Sequence, residues 1–212
     1  MPIVRAVLFD LDGTLIDSTP AVARSWARWG EQWGVGDPFA SHEHGRPARE
    51  SVAGHLPPER VDAAFASIEA LEIADTDGIV VLPGARELLA ALPRDAWAIV
   101  TSCSRPLADA RLAAVGLEPP VLVTASDTRA GKPAPDPFLE AARRLGVDPA
   151  ACLVVEDAPA GLVAARAAGA ATLAVEGTVD PALLEADLVA PNLTAVAVEV
   201  LPDGIQVTLL PS

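Results

Sequence analysis

The strongest constraint on the fold is an alternation. Residues 3–9 are a short apolar run rich in β-branched side chains that stops abruptly at Asp10-Leu11-Asp12-Gly13-Thr14. That is the pattern of a strand buried on both faces and closed by a tight turn. Similar runs recur at residues 97–101, 121–124, 152–155 and 171–175, and helix-like stretches at 84–91, 106–115, 137–145 and 160–168 lie between them. Each of the last three stretches runs up to a glycine, Gly116, Gly146 or Gly169. Glycine is favoured past a helix C-terminus because left-handed dihedrals cost it little. Strand, helix, strand at this spacing predicts an α/β fold, a Rossmann-like doubly wound parallel sheet with helices on both faces.

The alternation lapses between residues 16 and 81, where no strong strand run occurs. Ser18 or Thr19 can cap a helix reaching about Trp33, and further helices are expected over 47–55 and 58–73. The expected division is therefore a core of residues 1–15 and 82–212 carrying a small inserted helical-bundle cap, residues 16–81, with Pro83-Gly84 marking the return to the core. Near the far end, residues 196–201, Pro202-Asp203-Gly204 and residues 205–210 read as a β-hairpin.

Composition narrows the partners. A hydrophobic share of 51%, only 21% charged residues and a mean hydropathy of +0.34 exclude disorder over the 212 residues. A net charge of −14 argues against a nucleic-acid groove or an anionic-lipid surface. No run approaches the length of a transmembrane helix and no signal-peptide pattern opens the chain, so a soluble cytoplasmic protein, monomer or homodimer, is expected. Cys103 and Cys152 both sit in apolar runs without metal-ligand spacing, which favours core positions over a disulfide or zinc site. Among the 15 cationic side chains, 14 are arginine and one is lysine, Lys132. Arginine serves wherever a cation suffices, so the one lysine calls for a local reason.

In an open α/β sheet ligands bind beyond the carboxyl ends of the strands. The residues found there are Asp10 and Asp12 after the first run, Thr101 and Ser102 after the second, Lys132 beyond the third, and Glu156 with Asp157 after the fourth. Crowded carboxylates repel unless a cation sits among them, and oxygen ligands beside a phosphate suit Mg²⁺. Singly each element is weak. Asp-x-Asp-Gly also begins a calcium-binding EF-hand loop, but Thr14 and Ala21 stand where that loop needs its fifth and twelfth ligands. Thr101-Ser102 and Glu156-Asp157 could each simply cap the helix that follows. Their order and common placement at strand ends carry the functional reading.

With those residues in place, the chain resembles the haloacid dehalogenase-like superfamily of phosphohydrolases. The resemblance rests on Phe9-Asp10-Leu11-Asp12-Gly13-Thr14, Val100-Thr101-Ser102, Gly131-Lys132-Pro133-Ala134-Pro135-Asp136-Pro137 and Val155-Glu156-Asp157-Ala158-Pro159-Ala160-Gly161, in that order. It covers essentially the whole chain, with a helical cap at the first insertion position (subfamily I). His44-Gly45-Arg46, Leu82-Pro83-Gly84-Ala85 and the final hairpin make it similar to bacterial sugar phosphatases and to glycerol-phosphate and 2-deoxyglucose-6-phosphate phosphatases.

The resemblance implies a phosphoric monoester hydrolase acting through an aspartyl-phosphate, with Asp10 as nucleophile and Asp12 as acid and base. Asp10, Asp12 (through its carbonyl), Glu156 and Asp157 would hold Mg²⁺, Glu156 either directly or through water. Thr101 and Ser102 would bind phosphoryl oxygens; the Ser102 side chain is favoured, with a register ambiguity of one residue. Lys132 would balance charge between Asp10 and the phosphoryl group as a compact ammonium. In the cap, His44, Arg46, Arg49 and Glu72 are candidate substrate contacts, although His44-Gly45-Arg46 reads equally as an exposed loop. Trp26, Trp29 and Trp33 recur at helical spacing and are expected to pack the cap core rather than stack on a sugar. The implied substrate is a small phosphorylated sugar or polyol. The rivals are a phosphatase of another small metabolite phosphate and a mutase of the β-phosphoglucomutase type. Such mutases share the four motifs, but carry a histidine where Ala21-Val22 stand and a cap lysine absent here.

Overall fold

The structure is a computed structural model in which residues 3–36, 38 and 48–210 are described. In chain order the strands and helices are β1 (Ile3–Val4), β2 (Ala6–Phe9), β3 (Ile16–Asp17), α1 (Thr19–Trp33), α2 (Ala48–His55), α3 (Pro58–Ala74), β4 (Val80–Val81), α4 (Ala85–Ala91) and β5 (Trp97–Val100). There follow α5 (Arg105–Val115), β6 (Leu122–Val123), α6 (Asp136–Leu145), β7 (Cys152–Glu156), α7 (Pro159–Ala167), β8 (Ala171–Val175), β9 (Leu188–Ala190), β10 (Val196–Leu201) and β11 (Gly204–Leu209).

Six strands form an all-parallel sheet in the order β6-β5-β2-β7-β8-β9. The chain runs outward from β2 through β5 to β6, then crosses back to place β7 on the other side of β2. The crevice between β2 and β7 is thus the topological switch point, where a doubly wound sheet opens for ligands. Alternate side chains of β2 feed two cores: Val7 and Phe9 pack with α4 and α5 on one face, Ala6 and Leu8 with α6 and α7 on the other. Helices on both faces explain why these strands are apolar throughout rather than alternating.

Helix boundaries follow the sequence signals closely. Proline stands in the first turn of α1, α3, α5, α6 and α7, where its missing N–H is no loss. Left-handed Gly34, Gly116 and Gly146 close α1, α5 and α6.

Helices α1, α2 and α3 form the insert between β2 and β5, around Trp26, Trp29, Val52, Ala64 and Ile68. The tryptophan stripe is the insert's core, as expected: Trp26 and Trp29 meet edge to face at 5.3 Å, and Trp29 Nε1 donates to the Ala64 carbonyl of α3 at 2.8 Å.

Three departures have local causes. The segment 16–81 is not free of strands, since β3 and β4 pair antiparallel where the chain leaves and re-enters the core. Two-residue strands have no periodicity to betray them. Residues 3–9 are two strands rather than one, because the chain bends at Arg5 and sends β1 to pair with β11 of the terminal hairpin. A bend leaves the hydropathy of a run unbroken. The three-residue edge strand β9 likewise escapes a reading based on long apolar runs. The hairpin of β10 and β11 forms as expected, Leu201 pairing with Gly204.

Candidate active site

Strand termini deliver the charged groups. Asp10 follows β2, Thr101 follows β5, Glu156 is the last residue of β7 and Asp157 comes next. The loop after β6 carries Lys132 back to them. Its Nζ donates to Asp10 Oδ1 at 2.6 Å, to Glu156 Oε1 at 2.5 Å and to the Val100 carbonyl at 2.9 Å, and lies 5.2 Å from the Phe138 ring centroid. These four groups are three acceptors and a π face, as a buried ammonium requires. Burial works against its charge, but the Asp10 and Glu156 carboxylates outweigh burial and hold the ammonium above its ordinary range.

One oxygen from each of Asp10, Glu156 and Asp157 lies within 4.8 Å of the others, and all three residues are buried. Burial pushes the Asp10 carboxyl well above the usual range against the pull of Lys132, and Glu156 and Asp157 add to the push. Burial, followed by the Glu156 carboxylate, raises Asp157 to about 7. Three carboxylates facing one ammonium leave surplus negative charge in a pocket lined with oxygen donors, which fits a hard divalent cation. The triad can hold a metal ion.

Close backbone approach builds this corner. Gly13 has φ +90°, and a Cβ there would stand 2.1 Å from Asp157 Oδ2. Thr14 Oγ1 donates to Asp157 Oδ1 at 2.9 Å. Glu156 is already engaged at both oxygens: Oε1 with Lys132, Oε2 with the N–H groups of Asp157 and Ala158 at 3.2 Å each.

A cleft of ≈ 390 Å³ opens above this floor, lined by Asp10, Asp12, Ser102 and Lys132 below and by Trp26, Phe65 and Glu72 of the insert above. That volume suits a small metabolite. The buried Thr101 accepts the Cys103 N–H at 3.1 Å through its hydroxyl, whereas Ser102 is exposed to the cleft.

Comparison with known proteins places the chain in a family and beside several named phosphatases. The family of haloacid dehalogenase-like hydrolases matches residues 4–169. The chain belongs to that family. It is 43% identical to hexitol phosphatase A of Escherichia coli (strain K12) over 209 residues, 94% of this chain and 96% of that protein. It is 35% identical to glycerol-1-phosphate phosphohydrolase 2 of Saccharomyces cerevisiae, over 84% of this chain and 76% of that protein. Among solved structures, a hydrolase from Pseudomonas syringae superposes with a TM-score of 0.77 at 29% identity, covering 89% of this chain and 94% of that one.

In this haloacid dehalogenase-like hydrolase, the carboxylate of Asp12 is oriented by groups that the motifs do not contain. Ser18 Oγ donates to Oδ1 at 2.7 Å, while Cys103 Sγ at 3.2 Å and Arg111 Nη1 at 2.8 Å meet Oδ2. Ser18 does occupy the N-cap position of α1, but its hydroxyl serves Asp12 instead of the helix. Cys152 is a core thiol as expected, whereas Cys103 is half-buried at the site, and burial pushes its thiol far up, keeping it a neutral donor.

Arg111 is the main residue the sequence reading missed. It is 5% exposed and joins Asp12 to Glu72 of α3, Nη2 donating to Glu72 Oε1 at 3.2 Å. A signal existed: Leu107, Ala108, Arg111, Leu112 and Val115 are the buried stripe of α5, so a cation stands where the helical period calls for an apolar side chain. Glu72 follows Ala64 and Ile68 on the buried stripe of α3 in the same way. Burial raises its carboxyl to about 7, against the pull of Arg111. Arg49 lines the cleft over Phe65, its guanidinium carbon 5.5 Å from the ring centroid, and pairs with Asp62. His44 and Arg46 lie outside the described residues.

Proposed function

We propose that this chain is a Mg²⁺-dependent phosphatase of small phosphorylated sugars or polyols, working in the cytoplasm as a monomer or homodimer. One juxtaposition carries the reading. The Asp10 carboxylate, ion-paired with the only lysine of the chain, borders the cleft beside a second carboxylate, Asp12, held by its own set of donors. In-line attack of an Asp10 oxygen on phosphorus releases the alcohol and forms an aspartyl-phosphate, which water then hydrolyses. Asp12 protonates the leaving oxygen and in the second step takes a proton from that water, so it changes protonation state between steps. Lys132 neutralises Asp10 in the resting site and the phosphoryl oxygens during transfer. Ser102 supplies a hydroxyl to those oxygens, while Thr101 shapes the turn. Asp10, Asp157 and the Asp12 carbonyl would hold the ion, with Glu156 beside them, its oxygens also serving Lys132 and the N–H groups of Asp157 and Ala158. When bound, Mg²⁺ supplies positive charge to the transferring phosphoryl group.

Residues 16–81 act as a cap that excludes water, with His44, Arg46, Arg49 and Glu72 as contacts to the alcohol half. The polyol assignment draws on the hexitol and glycerol phosphates in the names of the relatives. A mutase would hold a second phosphate in the cap with a lysine, and Lys132 is committed to the floor. The free thiols of Cys103 and Cys152 and the lack, among the described residues, of a helix able to span a membrane suit a cytoplasmic enzyme.

The test is phosphate release from hexitol, glycerol, hexose, pentose and nucleoside monophosphates, with and without EDTA, beside a mutase assay on β-glucose 1-phosphate. Release from polyol or sugar esters that stops with EDTA and returns with Mg²⁺ is the expected result. Turnover confined to nucleotides, indifference to chelation, or isomerisation of glucose 1-phosphate overturns the assignment.

A further inference from the structure

We propose that Arg111 and Glu72 read the hydroxyl on the carbon next to the ester carbon, so that the cleft selects phosphate esters of vicinal diols. The inference rests on the phosphatase reading above and adds to it the chemistry of the alcohol. Asp12 must reach the leaving oxygen to protonate it, and Arg111 Nη1 lies only 2.8 Å from Asp12 Oδ2. Gauche oxygens on adjacent carbons are also about one hydrogen-bond length apart. A substrate whose ester oxygen meets Asp12 therefore presents its neighbouring substituent to the Arg111 and Glu72 pair, which lines the same cleft.

That pair is loose. Nη2 to Oε1 is 3.2 Å, longer than the roughly 2.7–2.9 Å of a tight charged hydrogen bond, although both side chains are nine-tenths buried. A hydroxyl can accept from the guanidinium and donate to the carboxylate at once. A methyl group can do neither, and leaves two buried polar groups without a substrate partner. A carboxylate is worse placed still, since one guanidinium already faces the two carboxylates of Asp12 and Glu72. Of the other cations lining the cleft among the described residues, Arg49 pairs with Asp62, and Lys132 is held on the floor between Asp10 and Glu156. The site is thus built against phosphorylated hydroxy acids as much as for polyols.

The experiment compares kcat/KM for three two-carbon esters, 2-hydroxyethyl phosphate, ethyl phosphate and phosphoglycolate, in the wild type with Mg²⁺. 2-Hydroxyethyl phosphate should exceed ethyl phosphate by about tenfold or more, and phosphoglycolate by more again. Glu72→Ala should bring the hydroxyethyl to ethyl ratio towards one, and Glu72→Gln, which keeps shape and loses charge, should recover phosphoglycolate about tenfold relative to the diol ester. Equal wild-type rates on ethyl and hydroxyethyl phosphate overturn the proposal, as does an unchanged ratio in folded Glu72→Ala. Should Glu72→Ala not fold, the wild-type series and Glu72→Gln decide alone. Failure of the phosphatase reading looks different: none of the polyol esters releases phosphate at all.

Discussion

The floor and the roof of the cleft are built on opposite principles. On the floor, Asp10, Glu156 and Asp157 are carried by the ends of two adjacent parallel strands, and each is fixed by a second group, Lys132 or Thr14. On the roof, Glu72 and Phe65 project from α3, held by helix packing about the tryptophan cluster. Hydrogen-bonded strands pin their termini to a fraction of an ångström, which reaction geometry needs. Helices packed by side chains can shift as a body, which opening and closing need. On the function proposed above, chemistry falls to the strand-built floor, and discrimination to the helical roof together with Arg111 of α5.

The contrast is most exposed to Asp10→Asn. The amide keeps shape but cannot attack phosphorus, so phosphate release should fall by roughly 10⁵-fold. The thermal midpoint should hold or rise, since one of three mutually repelling buried carboxylates is gone. Paired turnover and melting measurements check this. If a roof substitution such as Glu72→Gln cost as much turnover, the division of labour would be wrong.

Lys132→Arg is the next test. A planar guanidinium brings five donors in a fixed fork to a buried position shaped for one Nζ, between Asp10, Glu156, the Val100 carbonyl and the Phe138 ring. Charge is conserved but geometry is not. The expected loss in kcat is about 10²-fold, with an overpacking cost of about 1–3 kcal/mol by denaturant unfolding. Wild-type kcat in this variant would mean that the floor needs only a positive charge.

The same division decides what could be read from the sequence. Asp10, Asp12, Glu156 and Asp157 are legible because they stand at the ends of hydrophobic runs that parallel topology sends to one edge, and Lys132 because it is the one lysine of the chain, in the loop beyond another such run. Helices α1, α3 and α5 are legible from proline at their starts, and α1 also from tryptophans that recur at helical spacing. Arg111 was not, because its role depends on α5 facing α3 across the cleft, and packing of that kind is absent from any local pattern. What the sequence does hold is a discord, a charge on the apolar stripe of a helix. Ser18 teaches the converse: a residue with every local mark of a helix cap gives its hydroxyl to Asp12 because the tertiary site competes for it. The pairing of β3 with β4 was invisible for a plainer reason, being shorter than any hydrophobic period.

A pair of glycines gives the smallest and most direct comparison. Ordinarily Gly→Ala inside a helix stabilises by about 0.5–1 kcal/mol, because alanine has less backbone freedom to lose. Gly54 of α2, on the roof, is exposed, and a Cβ there meets nothing within 4 Å. Gly54→Ala should therefore raise stability by about 0.5 kcal/mol and leave kcat alone. Gly161 of α7, beside the floor, is buried, and a Cβ there would fall 1.8 Å from Glu156 Oε1 and 2.0 Å from its Cδ. A flexible side chain could usually swing away, but this one is tied by Lys132 at one oxygen and by two backbone N–H groups at the other. Gly161→Ala should thus reverse the sign, costing about 1–3 kcal/mol, and should lower kcat as Lys132 loses its Glu156 partner. Denaturant melts of both variants beside their turnover numbers make the comparison. Stabilisation by both alanines would show that Glu156 is free to move, and the floor would then be no more rigid than the roof.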